Sequence, residues 1–274
     1  IAAAGNIIND YFDVRADRIN RPERLIISKH IKRRWAIISH WILNAVAFSI
    51  AIYLSARYQT FWYVFIHLIT INTLWFYSMH FKRKPFIGNL MIAVLTALVP
   101  ILCGIHFYFQ IGIENTVITE LTANSSLNQN IVFWKSFLLT DWRFIYFLAF
   151  FAFTLNLSRE IIKDIQDVEG DKQIYAKTLP LTIGIKKSAI LAGLILAIVP
   201  VTVITLFLSQ TSGNYEMSMV ALLPIFISCF LNLVSLILLS PKNGEIRNIK
   251  KADFIIKISM LSGILMPFYW WFLM

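Results

Sequence analysis

Residues 9–17 read N-D-Y-F-D-V-R-A-D and close the apolar run that opens the chain. If that run continues as a helix, Asn9, Asp13 and Asp17 fall at i, i+4 and i+8. They then line one face at steps of roughly 6 Å, with Asp10 on the flank. Two carboxylates about 4 Å apart repel by roughly 4 kcal/mol at an effective dielectric near 20, so such a face at a membrane edge calls for cations. The alternative is a solvated helix end in which Asp17 pairs with Arg21 one turn on. A second stretch favours chemistry. Residues 159–171 read R-E-I-I-K-D-I-Q-D-V-E-G-D, again straight after an apolar span, with Asp164, Asp167 and Asp171 at i, i+3 and i+7. Two unrelated solvated helix ends have no reason to repeat one grammar.

Oxygen donors of this kind suit Mg²⁺, which usually takes one or two carboxylates plus substrate phosphate. Two clusters suit two ions clamping a diphosphate. Cations are interleaved with the acids: Arg15, Arg21 and Arg24 after the first cluster, Arg159 and Lys163 within the second, Lys177 beyond it. A metal store has no use for them. An anionic ligand held against carboxylates by metal ions does, with Arg and Lys taking the remaining phosphate oxygens. For any single cation, membrane topology explains its presence as well; Arg159 and Lys163 stand out because their helix also carries carboxylates.

The elements that must position these residues are membrane helices. Hydrophobic residues make up 58% of the 274-residue chain and charged residues 15%, which excludes an ordinary soluble domain. The charges gather between apolar runs of about 20 residues, whereas a β-barrel would alternate over roughly ten. Complete spans are expected at 35–54, 61–81, 86–109, 142–158, 189–209, 217–240 and 254–274. The partial helix before the first acidic cluster makes eight. Residues 14–34 read as a polar, basic loop, and 112–140 as a long external loop in which 131–139 lies on the membrane surface. The chain starts at Ile1 inside a helix, which suggests an N-terminal truncation. Cys103 and Cys229 lie in different apolar runs without metal-ligand spacing and read as core residues.

Because helices alternate, the segments between them alternate in side. All but three of the 25 basic residues fall on the side of the acidic clusters, the exceptions being Arg57, Lys135 and Arg143. By the positive-inside rule both clusters face the cytoplasm of an integral membrane protein, in a cell inner membrane. The net charge of +10 then reflects topology and anionic membrane lipids, and needs no nucleic acid.

With these residues in place, the chain resembles the UbiA-type intramembrane prenyltransferase superfamily. The resemblance rests on N-D-x-x-D-x-x-x-D paired with D-x-x-D-x-x-x-D, each after a transmembrane helix. N-R-P-E-R at 20–24, Y-S-M-H-F-K-R-K-P-F-I-G-N at 77–89 and A-K-T-L-P at 176–180 extend it over nearly the whole chain. It implies one all-α domain over 1–274, a polytopic transmembrane bundle with eight helices visible of nine. It also implies transfer of a prenyl group from a prenyl diphosphate held by Mg²⁺. Carried over by motif, Asn9, Asp10, Asp13, Asp17, Asp164, Asp167 and Asp171 are the metal and diphosphate residues, Asp13 and Asp167 foremost. Lys82 and Tyr77 fall in the stretch over the cavity; Arg21, Arg24, Lys82 and Lys177 join them as diphosphate contacts. One departure stands out: where many members read R-P-x-R-P-I-P-S-G, residues 21–29 read R-P-E-R-L-I-I-S-K, without the later prolines and glycine.

The second acidic motif followed by A-K-T-L-P most closely resembles the branch that alkylates geranylgeranylglyceryl phosphate, an ether-lipid precursor. Aromatic quinone-precursor acceptors share the outer pattern. A glycerol hydroxyl benefits from a base, and its phosphate from a cation; Glu160 is a candidate base, or a structural partner of Arg159 or Lys163. A cation-coupled transporter is the competing class, but would place ionisable residues near midspan rather than at helix ends. A CDP-alcohol phosphotransferase would carry its acids in one D-G motif rather than in two distant ones.

Overall fold

The computed structural model describes residues 1–122, 142–210, 223–240 and 246–273. Ten α-helices carry these residues: α1 (Ala2–Asn20), α2 (Arg33–Arg57), α3 (Trp62–Met79), α4 (Ile87–Thr122), α5 (Trp142–Gln166), α6 (Val168–Gln173), α7 (Leu179–Ile183), α8 (Ile185–Gln210), α9 (Leu223–Leu239) and α10 (Ile246–Leu273). Among the described residues the only β pairing is a single bridge between Ile27 and Ile31.

Four helical stretches, Arg33–Arg57, Ile87–His106, Ile145–Gln166 and Ile185–Thr205, are long and apolar enough to cross a membrane, and Leu223–Leu239 is a shorter apolar helix. α3, with 18 residues, is diluted by aromatic and polar side chains. The outward face of α2 carries Trp41, Ile42, Val46, Ile50 and Tyr53, all well exposed, as lipid contact requires. The chain is thus an all-α integral membrane protein.

Two of the expected loops are partly helical. α1 continues through the polar residues to Asn20, since Asp, Arg and Ala after Phe12 hold no helix breaker before Pro22. α4 continues through Thr122, where a loop from 112 was expected, because Ile111, Ile113, Val117 and Ile118 keep the run apolar among its polar residues. Residues 123–141, including the expected surface segment 131–139, lie outside the described residues, as does the start of the span expected at 217–240.

The described fold comprises two compact units. The first holds Ile1–Met91, Leu102–Leu127 and Asp167–Thr182. In it α1 packs against α2, α3 and α6. His40 of α2, 2% exposed, meets the Ala4 carbonyl of α1 through Nδ1 at 2.9 Å and the Asn44 amide through Nε2 at 3.0 Å. Val14, Ile27 and Ala36 are buried together, with Ile7, Tyr11 and Leu25 packed on them. The departing residues of the 21–29 segment have a structural use here: Leu25 and Ile27 fold the loop back onto α1, where the prolines would stand. Its turn closes with three N–H groups, from Lys29, His30 and Ile31, donating to the Ile26 carbonyl.

The second unit holds Ile92–Ile101, Asn128–Gln166 and Ile183–Met274. α5 packs on α8 and α10, and α9 packs on α8 and α10. Small polar residues sit at these contacts, as expected where lipid removes any hydrophobic drive between helices. Ser158 donates to the Ala192 carbonyl at 2.8 Å, Ser228 and Ser259 share a hydrogen bond of 2.7 Å, and Asn156 donates to Thr96 at 2.6 Å.

Candidate diphosphate site

The first unit brings the first acidic motif together with Asp167 and Asp171 of the second. Asn9, Asp13 and Asp17 follow one another along α1, where Asp13 is buried and Asp10 exposed. α1 ends at Asn20 because Pro22 disfavours helical backbone at Arg21, which adopts φ −150° and ψ 59°. That departure sends the Arg21 side chain away from its own helix. Instead of pairing with Asp17, its guanidinium donates to Asp167 Oδ1 at 2.6 Å.

Asp167 stands at a break in the second motif. α5 ends at Gln166 and α6 begins at Val168, so Asp167 is the residue between two helices rather than part of one. Asp171 is buried on α6, beside the buried Gly170. Asn20 fastens α6 to α1: its Nδ2 donates to the Asp167 carbonyl at 3.0 Å, and the Gly170 N–H donates to its Oδ1 at 2.8 Å. Only glycine fits there. A Cβ on Gly170 would stand 2.8 Å from the Ala16 carbonyl and closer still to the Asn20 amide.

Lys82 enters from the 3₁₀ turn Phe81–Arg83. Its ammonium pairs with the Asp13 carboxylate and donates to Asn9 Oδ1 at 3.1 Å. Two contacts hold this turn in place. Gly88 lets it lie against the start of α4, where a Cβ would stand 2.9 Å from the Phe81 carbonyl. The Lys177 N–H donates to the Arg83 carbonyl at 2.9 Å, tying the turn to the segment after α6. Tyr77 is buried at the end of α3 just before it.

The electrostatics are those of a site short of positive charge. Asp17 is pushed up to about 6, first by burial and then by Asp13, with Lys82 opposing. Asp171 is likewise raised to about 6, first by burial, against the lowering effects of the Thr178 hydroxyl and Lys82. At Lys82 burial works against the charged form, but the Asp13 carboxylate outweighs it and holds the ammonium above its ordinary value.

The remaining expected residues behave differently. Lys177 contributes its backbone and exposes its side chain. Arg24 closes the 3₁₀ turn Pro22–Arg24, and its side chain lies outside the described residues. Arg159, Glu160, Lys163 and Asp164 belong to the second unit. There Glu160, nearly buried, is paired with Arg159 at 3.4 Å and Lys163 at 3.7 Å. Arg159 also pairs with Asp253 of α10 at 3.3 Å, and Asp253 with Lys257 at 2.5 Å. Asp253 escaped the sequence reading, although its spacing to Lys257, i to i+4, was a visible signal. Asn20 escaped as well, being read only as part of the N-R-P-E-R string.

The UbiA prenyltransferase family matches residues 1–243. Among curated proteins, the chain is 36% identical to the digeranylgeranylglyceryl phosphate synthase of Thermococcus gammatolerans over 191 residues, 70% of this chain and 56% of that protein. It is 32% identical to the enzyme of the same name from Methanosphaera stadtmanae over 258 residues, 94% of this chain and 79% of that protein. The chain thus spans just over half the length of several relatives it matches. Two solved structures share its fold. One concerns digeranylgeranylglyceryl phosphate synthase, with a TM-score of 0.58 and 24% identity over 96% of this chain and 79% of that chain. The other is an apo UbiA homologue from Aeropyrum pernix, with a TM-score of 0.62 and 15% identity over 97% of this chain and 84% of that chain. Paired acidic motifs joined by Arg21 and Asn20, a helical membrane fold and a family match from residue 1 to 243 agree: the chain belongs to the UbiA prenyltransferase family.

Proposed function

We propose that this protein transfers a geranylgeranyl group from its diphosphate to geranylgeranylglyceryl phosphate, with Mg²⁺ as cofactor and both acidic motifs facing the cytoplasm. One observation carries the reading: within the first unit, acids of both motifs are paired with cations, Asp13 with Lys82 from the turn before α4 and Asp167 with Arg21 from the end of α1. The named relatives supply the acceptor.

The residues fit a hard cation. Their donors are oxygens, and Asp17 and Asp171 are raised first by burial and further by neighbouring carboxylates, Asp13 and Asp167 among them, a surplus of negative charge that a cation would offset. Among the described residues no three acidic, His or Cys side chains converge as a ready-made metal nest. Mg²⁺ needs none, since one or two carboxylates plus substrate phosphate commonly complete its shell. Asn9, Asp13 and Asp17 on one side, and Asp167 and Asp171 on the other, would hold the ions, with Asp10 on the flank. Bound there, Mg²⁺ would neutralise charge growing on the departing diphosphate.

The chain's own cations share that task. Arg21 and Lys82 take diphosphate oxygens as the bond from prenyl C1 to oxygen breaks and the electron pair leaves with diphosphate. The acceptor hydroxyl oxygen then bonds to C1 and passes its proton to the released diphosphate or to water. Arg159 and Lys163 are the cations assigned to the acceptor's phosphate. Glu160 serves them as an anchor rather than as the base, because both its oxygens are engaged by these cations. Purified full-length protein given a panel of prenyl diphosphates and acceptors tests the assignment. Exclusive prenylation of 4-hydroxybenzoate or a naphthoate would move it to quinone biosynthesis.

A further inference from the structure

Asp167 stands at the N-cap of α6, yet its side chain makes no capping hydrogen bond to that helix. An aspartate in that position ordinarily accepts an N–H from the second or third residue of the first turn. Here the third, Gly170, gives its N–H to Asn20 of α1, 150 positions earlier in the chain. Asn20 returns a hydrogen bond to the Asp167 carbonyl, while the Asp167 carboxylate turns to Arg21. The absent side chain of Gly170 makes this approach possible.

We propose that Asn20 is a positioning residue for the diphosphate site. It caps α6 in trans, and so keeps the Asp167 carboxylate from capping its own helix and directed toward Arg21 and the ligand. The proposal rests on the reading of the acidic motifs as a metal–diphosphate site. Without Asn20, the buried Gly170 N–H is an orphan donor, and the carboxylate three residues before it, at the N-cap position, is the ordinary acceptor for such an N–H. Its capture would withdraw Asp167 from the metal. Residues that orient ligands in this way typically change metal affinity by about 10- to 100-fold when removed.

The test uses full-length protein in nanodiscs as wild type, Asn20→Ala and Asn20→Asp, with Asn20→Ser in reserve should alanine fail to fold. Mn²⁺ is titrated in the presence of inorganic diphosphate and followed by electron paramagnetic resonance. Amide exchange is read on the peptide containing Gly170. Asn20→Ala should weaken Mn²⁺ binding by about tenfold and speed exchange at Gly170, with kcat at saturating metal within about threefold of wild type. Asn20→Asp keeps the acceptor for Gly170, though not the donor to the Asp167 carbonyl, and should restore slow exchange at Gly170 and recover part of the lost Mn²⁺ affinity. Wild-type Mn²⁺ affinity in the alanine or serine variant overturns the proposal, as does an aspartate variant that folds but binds as weakly as alanine. If wild-type protein binds no Mn²⁺ with diphosphate, the metal reading itself fails, and the role given to Asn20 fails with it. The exchange data separate that failure from a merely absent cap.

Discussion

Arg21 and Asp167, 146 positions apart, are joined by a 2.6 Å ion pair that links the end of the first acidic motif to the centre of the second. Both side chains keep partial access to solvent, at 31% and 20% exposure, so the pair contributes no more than about 1 kcal/mol to stability. Its value lies in where it holds a guanidinium. Arg21→Met should therefore leave the unfolding midpoint nearly unchanged and lower kcat/KM for prenyl diphosphate by at least about tenfold, as steady-state kinetics beside a thermal melt would show.

Lys82 is the counter-ion of Asp13. Lys82→Met leaves that nearly buried carboxylate without its cation, a loss of about 3 kcal/mol in metal-free protein. Added Mg²⁺ should recover much of the loss by binding the folded state. Melting curves with and without Mg²⁺ should show a larger metal-induced shift in the variant than in wild type. Equal shifts would mean that Lys82 and the metal occupy unrelated positions.

Gly88 lets the Lys82 turn lie against α4. Gly88→Ala places a methyl group 2.9 Å from the Phe81 carbonyl, against backbone that cannot yield easily. A cost of about 1–3 kcal/mol is expected, with a raised KM for prenyl diphosphate because the displaced turn carries Lys82. Unaltered stability and KM would show that the turn accommodates the change.

The proposed topology rests on the distribution of charge. In a background lacking Cys103 and Cys229, a cysteine at Gln173 should label only from the cytoplasm and one at Gln59 only from outside. Both positions are exposed. Labelling from one side alone would break the assigned alternation of helices.

The apolar runs and the spacing of Asn9, Asp13 and Asp17 were legible because helix period and bilayer thickness act on local sequence. The break at Asp167 was less so: nothing in D-I-Q-D-V-E-G-D forbids a continuous helix, and Gly170 is used there for its missing Cβ rather than as a stop. Local spacing offered Asp17 as an alternative partner for Arg21 and gave no hint of Asp167, since Pro22 decides the chain direction at Arg21 while tertiary packing decides what lies ahead of it. Asn20 was hidden for a similar reason. Its two hydrogen bonds span 147 and 150 positions, beyond any local pattern. Glu160 shows the converse, where i to i+3 spacing offered its pairing with Lys163 directly; the i to i+4 spacing of Asp253 and Lys257 was equally local but went unread, and the joining of the two pairs through Arg159 has no local signal.

The central claim is that the two acidic motifs act through bound metal to transfer a prenyl group to a glycerol phosphate lipid. Full-length protein should be incubated with geranylgeranyl diphosphate and geranylgeranylglyceryl phosphate, with Mg²⁺ or with EDTA, and the lipid product identified by mass spectrometry. Digeranylgeranylglyceryl phosphate should form with Mg²⁺, vanish with EDTA, and fall by at least about a hundredfold in Asp13→Ala and Asp167→Ala. Product formation that survives EDTA, or that persists in both variants, would contradict it.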